Sequence, residues 1–306
     1  MTELNTTQAT QHDVVVVGGA FAGLSAATYL ARARRTVCVV DTRRPRNRFA
    51  AAAHGVLGFD GTAPVDILAR ARAQVSAYPS VRWREREAVR VEPQGDRFAV
   101  TLDDGEVHVA RKVVLAFGLR DELPDIPGLA ERWGHSVLHC PYCHGFEFAD
   151  RELGVLYRTP MSAHQARLVA EWGPVTLYLN GAELDAALRD ELAVHGVRVV
   201  PETIVSLDGP GTGLSHVVLE NGERRVLEAL YVAPESCLAS PIAAQLGVAL
   251  DETPLGPIIR TDAGKQTSVP GVYAAGDIAR APHSVSWAVA DGVTAGTSVH
   301  RALIGM

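Results

Sequence analysis

With 306 residues, 47% of them hydrophobic and 21% charged, the chain can bury a substantial core and is expected to divide into two domains. A formal net charge of -6 gives no attraction for nucleic acid or an anionic membrane surface, and no apolar run is long enough to span a bilayer. Four cysteines are too few for a disulfide framework in a chain of this size, which agrees with a reducing, cytoplasmic setting.

Residues 1–11 are polar and lack an apolar core, so they read as a disordered tail rather than a signal peptide or anchor. Val14-Val15-Val16-Val17 is a continuous β-branched run of the kind that fills a central parallel strand. Gly18-Gly19-Ala20-Phe21-Ala22-Gly23 follows, then a helix from Leu24 to Arg34 and a strand from Thr36 to Val40 ending at Asp41. This is a βαβ unit with a dinucleotide turn between its first strand and helix. Gly18 permits the bend, a small residue at position 20 admits the pyrophosphate, and Gly23 lets helix pack on strand. Alanine at position 20 crowds that approach by one methyl. Asp41, 23 positions beyond Gly18, suits an unphosphorylated ribose.

The stretch from Arg43 to Gly61 is irregular and rich in donors, which marks it as lining a site rather than idle. Arg32, Arg34, Arg35, Arg43, Arg44, Arg46 and Arg48 flank the nucleotide motif as a basic face or as phosphate contacts. A helix from Pro64 to about Ala77, strands over Val81–Val91 and Arg97–Val109 with an Asp104-Gly105 turn, and a return to the main sheet at Val113–Gly118 come next. Arg120–Pro127 reads as an interdomain linker.

His139-Cys140-Pro141-Tyr142-Cys143-His144 carries the chemistry. Two cysteines separated by two residues can close a reversible disulfide, and their surroundings depress a thiol pKa. Such a pair also occurs as half of a zinc site or as a static disulfide. No second Cys or His pair at ligand spacing stands elsewhere, so no metal is assigned and a redox-active pair is favoured. Cys38 reads as an inert core residue, and Cys237 receives no role.

A second βαβ pattern follows: strand Leu153–Leu156, helix Ser162–Trp172, strand Val175–Leu179, and a further helix and strand reaching Val200. Its phosphate loop is degenerate. Tyr157-Arg158-Thr159-Pro160-Met161-Ser162 has no glycine, Pro160 removes a backbone donor, and the next strand ends in Asn180-Gly181 rather than an acid or an arginine pair. A productive nicotinamide nucleotide site is not expected there. After an Asn221-Gly222 turn and a short helix at Ser240–Leu246, Gly271-Val272-Tyr273-Ala274-Ala275-Gly276-Asp277 runs a strand into a glycine and an acid. Ser286-Trp287-Ala288 opens the final helix, whose free amides are expected to face an electron-rich flavin edge.

The order of dinucleotide motif, Ala116-Phe117-Gly118, Cys-x-x-Cys, second βαβ unit and Ala-Ala-Gly-Asp resembles that of the low-molecular-weight thioredoxin reductases, over essentially the whole chain after Gln11. The resemblance implies an α/β fold of two Rossmann-like, three-layer ββα nucleotide-binding-type domains, the second inserted in the first. Residues 12–118 and 244–306 would bind FAD, 119–243 would carry the Cys pair, and two copies would form a homodimer. It extends the expected FAD contacts from Gly18–Gly23 and Asp41 to Thr42, Arg43, Asn47, Arg48, His54, Val89, Gly118, Gly276, Asp277, Trp287 and Ala288. His144 replaces the acid that usually follows the second cysteine, and the NADPH glycines and arginines are absent. In these respects the sequence is similar to the dithiol oxidase branch, which closes disulfides in natural products such as gliotoxin and holomycin.

That branch implies a small-molecule dithiol as substrate, Cys140 as interchange thiol, Cys143 nearer the flavin, dioxygen as acceptor and no use of NADPH. His144 suits the role of base because a histidine pKa lies near working pH. Two other readings stay open: a thioredoxin reductase fed by NADPH or ferredoxin, and a flavin-binding redox sensor.

Overall fold

The structure is a computed structural model that describes residues 10–306. It contains two compact units. Among the described residues, the first comprises residues 10–48 together with Val65–Arg120 and Ser236–Met306, and the second comprises Phe49–Pro64 and Asp121–Glu235.

In the first unit a parallel sheet places strands Val81–Arg84, Val37–Val40, Thr10–Val17 and Val107–Leu115 side by side. Alternation explains why the valine run needs no polar face. Val15 and Val17 enter one apolar cluster while Val14 and Val16 enter the other, so both faces are covered. Val107–Leu115 is one nine-residue strand that does two jobs. Its first half pairs antiparallel with Arg97–Leu102 in the hairpin, and its second half pairs parallel with Val272–Ala274. The carboxyl ends of Thr10–Val17, Val37–Val40, Val107–Leu115 and Val272–Ala274 therefore share one edge.

Helices Phe21–Arg32 and Val285–Leu303 pack together on one face. They do so at backbone distance: a Cβ on Gly292 would stand 2.2 Å from Ala22 O, and one on Gly296 would stand 2.9 Å from Ala26 O.

In the second unit, strands Arg198–Val200, Val175–Tyr178, Leu153–Leu156, Ala229–Tyr231 and Val137–Leu138 form a parallel sheet in that order. Helices Met161–Val169 and Ala186–Val194 accompany it, the latter capped by Asp185, whose carboxylate accepts from the amides of Ala187 and Leu188. A three-stranded antiparallel sheet of Ile204–Asp208, His216–Leu219 and Arg224–Val226 completes the unit.

Three sequence expectations shift. Thr10 and Gln11 belong to the first strand, paired with His108 and Val109, rather than to a tail, and residues 1–9 lie outside those described. Leu119–Glu122 forms a short strand where a free linker is expected. The chain crosses between units after Arg120 and Glu235, and residues 49–64 interrupt the stretch read as 12–118. The last difference has a local cause. The loop closes on itself through Ala53 N to Thr62 O and Gly55 N to Asp60 Oδ1, and a Cβ on Gly134 would touch Phe49 at 2.7 Å.

Candidate active site

In the first unit the phosphate turn has the properties its sequence demands. Gly18 has φ +107°, and a side chain there would meet Ala116 O at 2.2 Å; one on Gly23 would meet Gly18 O at 1.8 Å. Helix Phe21–Arg32 starts at Ala20 with no side-chain cap and no acid in its first turn, so its amides and dipole are left for an anion. Gly276, at φ +83°, comes so near this helix that a Cβ would lie 2.9 Å from that of Ala22 and 3.8 Å from that of Ala288. Asp41 closes the adjacent strand end, held by Arg72 at 3.3 Å. Bare backbone, an uncapped helix start and a ribose acid on one sheet edge fit a dinucleotide.

Arg46, expected only as one of seven arginines of a basic face or phosphate-contacting cluster, organises this edge. Its guanidinium reaches Asp277 Oδ2 at 3.1 Å, His283 Nδ1 at 2.8 Å and Ser236 Oγ at 3.1 Å. The neighbouring Asn47 stands in the same short 3₁₀ turn, while Arg48 is exposed and donates to Pro45 O. Thr42 is exposed, and Arg43 pairs with Glu85 at 3.1 Å. Val89 gives its carbonyl to Gln245. Gly118 has φ +77° and open space where a side chain would stand. Trp287 carries Arg280 over its ring, and its amide is not free as expected: Ser284 Oγ caps it at 3.1 Å. Arg280 and Lys265 both clamp the buried Asp291 at 2.9 Å, which ties the segment after Asp277 to the final helix.

In the second unit Cys140 sits at the N-cap of a one-turn helix, Pro141–His144, with proline at its first position. Both cysteines are free thiols, and they are unlike. The Cys143 thiol donates to Cys140, and with help from the amides of Cys143 and Tyr142 this lowers the Cys140 pKa to about 7 against the burial that opposes it. Cys143 moves well above the ordinary thiol value for the complementary reason, as donor to Cys140 and by burial. The reduced pair is therefore a Cys140 thiolate beside a Cys143 thiol.

His144 is held below the usual histidine range, first by burial, with His54 lowering it and Glu147 raising it. His54, expected against the cofactor, belongs to this unit: its Nε2 is 3.3 Å from Glu147 Oε1 and its ring meets that of His144 edge-on at 6.0 Å. Helix Met161–Val169 fixes the strand end above, with Gln165 Nε2 donating to His139 O at 2.8 Å. The Tyr231 hydroxyl is buried with no hydrogen-bond partner among the described residues, and burial first, then Cys140 and Glu147, pushes its pKa up. Tyr142, between the two cysteines, and Phe146, three residues after the second, are 74% and 84% exposed. His54, Glu147 and Tyr231 converge from three separate stretches, which no local motif announces.

The degenerate loop of the second unit is closed from within. Ser162 Oγ accepts from the amides of Arg158 and Thr159 at 3.0 and 3.4 Å, the groups a phosphate would use. Arg158 points its guanidinium at the carbonyls of Ala233 and Glu122. The amide of Ile204 donates to Asn180 Oδ1.

Two Rossmann-type units, one with a dinucleotide cradle and the other with a Cys-x-x-Cys at a helix start, define a two-domain flavin-dependent disulfide oxidoreductase. The chain belongs to the pyridine nucleotide-disulphide oxidoreductase family, whose model matches residues 12–292, and this family implies FAD. It is thioredoxin reductase-like. Thioredoxin reductase sirT of Leptosphaeria maculans is 33% identical over 313 residues, spanning 96% of this chain and 94% of its own length. The solved oxidoreductase from Agrobacterium tumefaciens matches with a TM-score of 0.91 at 42% identity, covering 96% of this chain and 99% of that one. HlmI matches with a TM-score of 0.90 at 38% identity, covering 95% and 92%. No helix among the described residues is long and apolar enough to cross a membrane.

Proposed function

We propose that this oxidoreductase closes the disulfide of a small-molecule dithiol, passing two electrons through the Cys140–Cys143 pair to FAD and then to dioxygen, with hydrogen peroxide as the second product. The observation that carries the reading is the unlike thiol pair beside a half-buried His144 whose pKa is held down. Gly18–Gly23, Asp41, Gly276 and Asp277 would hold FAD, which when bound supplies a two-electron acceptor that dioxygen can reoxidise.

In the exchange half of the reaction the residues take up both substrate thiol protons, one ending on Cys143 and one on His144. Starting from the oxidised pair, His144 takes the proton of one substrate thiol, and that sulfur attacks Cys140, breaking the Cys140–Cys143 bond. Cys143 leaves as a thiolate and collects the proton from His144. The second substrate thiol then gives its proton to His144 and attacks the first substrate sulfur. This closes the product disulfide and releases Cys140 as a thiolate, which a pKa of about 7 makes a good leaving group. The exposed Tyr142 and Phe146 offer apolar contact to a compact substrate.

The occupied amides of Arg158 and Thr159 support a reaction without NADPH. A second reading, a thioredoxin reductase fed by NADPH or ferredoxin, is favoured by the names of relatives such as sirT. Anaerobic mixing separates them. Bleaching of the flavin by a dithiol such as dithiothreitol, and none by NADPH or reduced ferredoxin, is expected. Bleaching by NADPH followed by thioredoxin reduction overturns the oxidase reading, and bleaching by neither points to a sensor. We also propose a cytoplasmic homodimer, which sedimentation of the full chain tests for assembly.

A further inference from the structure

Three residues that the dithiol chemistry does not use meet in the core of the first unit. His12, Cys38 and His108 are all buried, and their donor atoms lie within 4.8 Å of one another. They come from three adjacent strands, Val37–Val40, Thr10–Val17 and Val107–Leu115, at the amino ends opposite the phosphate turn. The amides of Asp13 and Val14 both donate to Thr36 O, a bulge-like pairing that turns His12 onto the face occupied by Cys38.

We infer that His12, Cys38 and His108 form a buried three-ligand site for a borderline-soft metal ion of the zinc(II) class. His12 Nε2 and His108 Nδ1 are 3.1 Å apart, and two Zn–N bonds of about 2.0 Å spanning that gap enclose an angle of about 100°, near tetrahedral. One thiolate and two imidazoles form the donor set such ions prefer over magnesium or calcium. A carboxylate, the kind of group that orients metal-bound histidines, stands near the outer nitrogen of His108. That atom, Nε2, is 3.3 Å from Glu106 Oε1, and Glu106 is fixed by Arg84 through Nε at 2.9 Å and Nη2 at 3.0 Å. His108 Nε2 makes no hydrogen bond among the described residues, and in the tautomer with its proton on Nε2, Nδ1 presents its lone pair to the cluster. Burial keeps Cys38 a thiol in the absence of a cation, so metal entry displaces its proton to solvent and the thiolate becomes the third ligand. Bridging three strands at once, the ion would staple the sheet without touching the redox chemistry.

The test uses flavin-loaded full-length protein carrying Cys140→Ser and Cys143→Ser, which removes the competing thiols. It is equilibrated with zinc sulfate, passed over chelating resin, and measured for zinc per chain and by zinc K-edge absorption. About one zinc per chain is expected, with one sulfur and two nitrogens in the first shell; adding Cys38→Val to the same background, with flavin content retained, lowers zinc at least about tenfold. Should the Cys38→Val protein fail to fold, the absorption spectrum of the parent decides alone. Zinc below about a tenth per chain in that parent, a shell without sulfur, or zinc unchanged by Cys38→Val overturns the site and leaves a hydrogen-bonded histidine pair.

Discussion

His54 Nε2 stands 3.3 Å from Glu147 Oε1, and through this contact two groups of opposite effect converge on His144. Glu147 raises the His144 pKa and His54 lowers it, while burial sets the net result below the usual 6.5. A base must be unprotonated, so activity is retained down through pH 6.5 and is lost only as pH falls through the lowered value. Glu147→Gln is expected to move the acid limb of kcat/KM to lower pH, and His54→Gln to move it higher. His144→Ala should reduce kcat/KM by about 10²–10⁴-fold. Limbs that move together, or do not move, would remove His144 from the role of base.

The thiols make an independent prediction. In reduced enzyme Cys140 is half thiolate at about pH 7, whereas Cys143 stays protonated. Iodoacetamide alkylation followed by peptide mass spectrometry should give a midpoint near pH 7 at Cys140 and no label at Cys143. Cys143→Ala removes the donor that lowers the Cys140 pKa and should shift that midpoint upward, with Cys143→Ser, which keeps a hydroxyl donor, shifting it less. Preferential labelling of Cys143 would invert the assignment of the interchange thiol.

Arg46 holds Asp277 at 3.1 Å on the same sheet edge as the phosphate turn. Arg46→Ala leaves that half-buried carboxylate without its cation, and Arg46→Lys keeps the charge but not the fork that also reaches Ser236. Flavin retained per chain after gel filtration should fall in the order wild type, Arg46→Lys, Arg46→Ala. Full flavin occupancy in Arg46→Ala would restrict the residue to holding its own loop.

Much of this was legible because it was local. The valine strand, the glycines at 18 and 23, the helix after Met161 and the Cys pair each write their physics into neighbouring residues. What escaped was carried by distant contacts. Arg46 is one of seven arginines in a short stretch, and its contacts with Ser236, Asp277 and His283, 190 to 237 positions away, set it apart. His54 stands in a loop contiguous with the nucleotide motif, and its partner Glu147 lies beyond the whole hairpin. Likewise the free amide expected at Trp287 failed because Ser284, two residues before the expected helix start, caps it. Ser162 reads as an ordinary helix residue until its hydroxyl is seen filling the loop amides.

The packing of the final helix on the phosphate helix yields a ranked stability prediction. In a free helix, glycine to alanine stabilises by about 0.5–1 kcal/mol. Here a methyl on Gly292 would lie 2.2 Å from Ala22 O and 2.7 Å from Ser25 Cβ, both on the facing helix and neither at the end of a flexible chain. The clash outweighs the propensity gain, and Gly292→Ala should lower stability by about 1–3 kcal/mol. At Gly296 the nearest atoms are Ala26 O at 2.9 Å and Ala26 Cα at 3.2 Å, so the same change should cost less. Because Ala22 also borders the phosphate turn, Gly292→Ala should loosen flavin as well, and Gly296→Ala should not. Urea unfolding of both variants with flavin content in parallel measures the order, and a Gly292→Ala protein as stable as wild type would mean that the two helices separate at little cost.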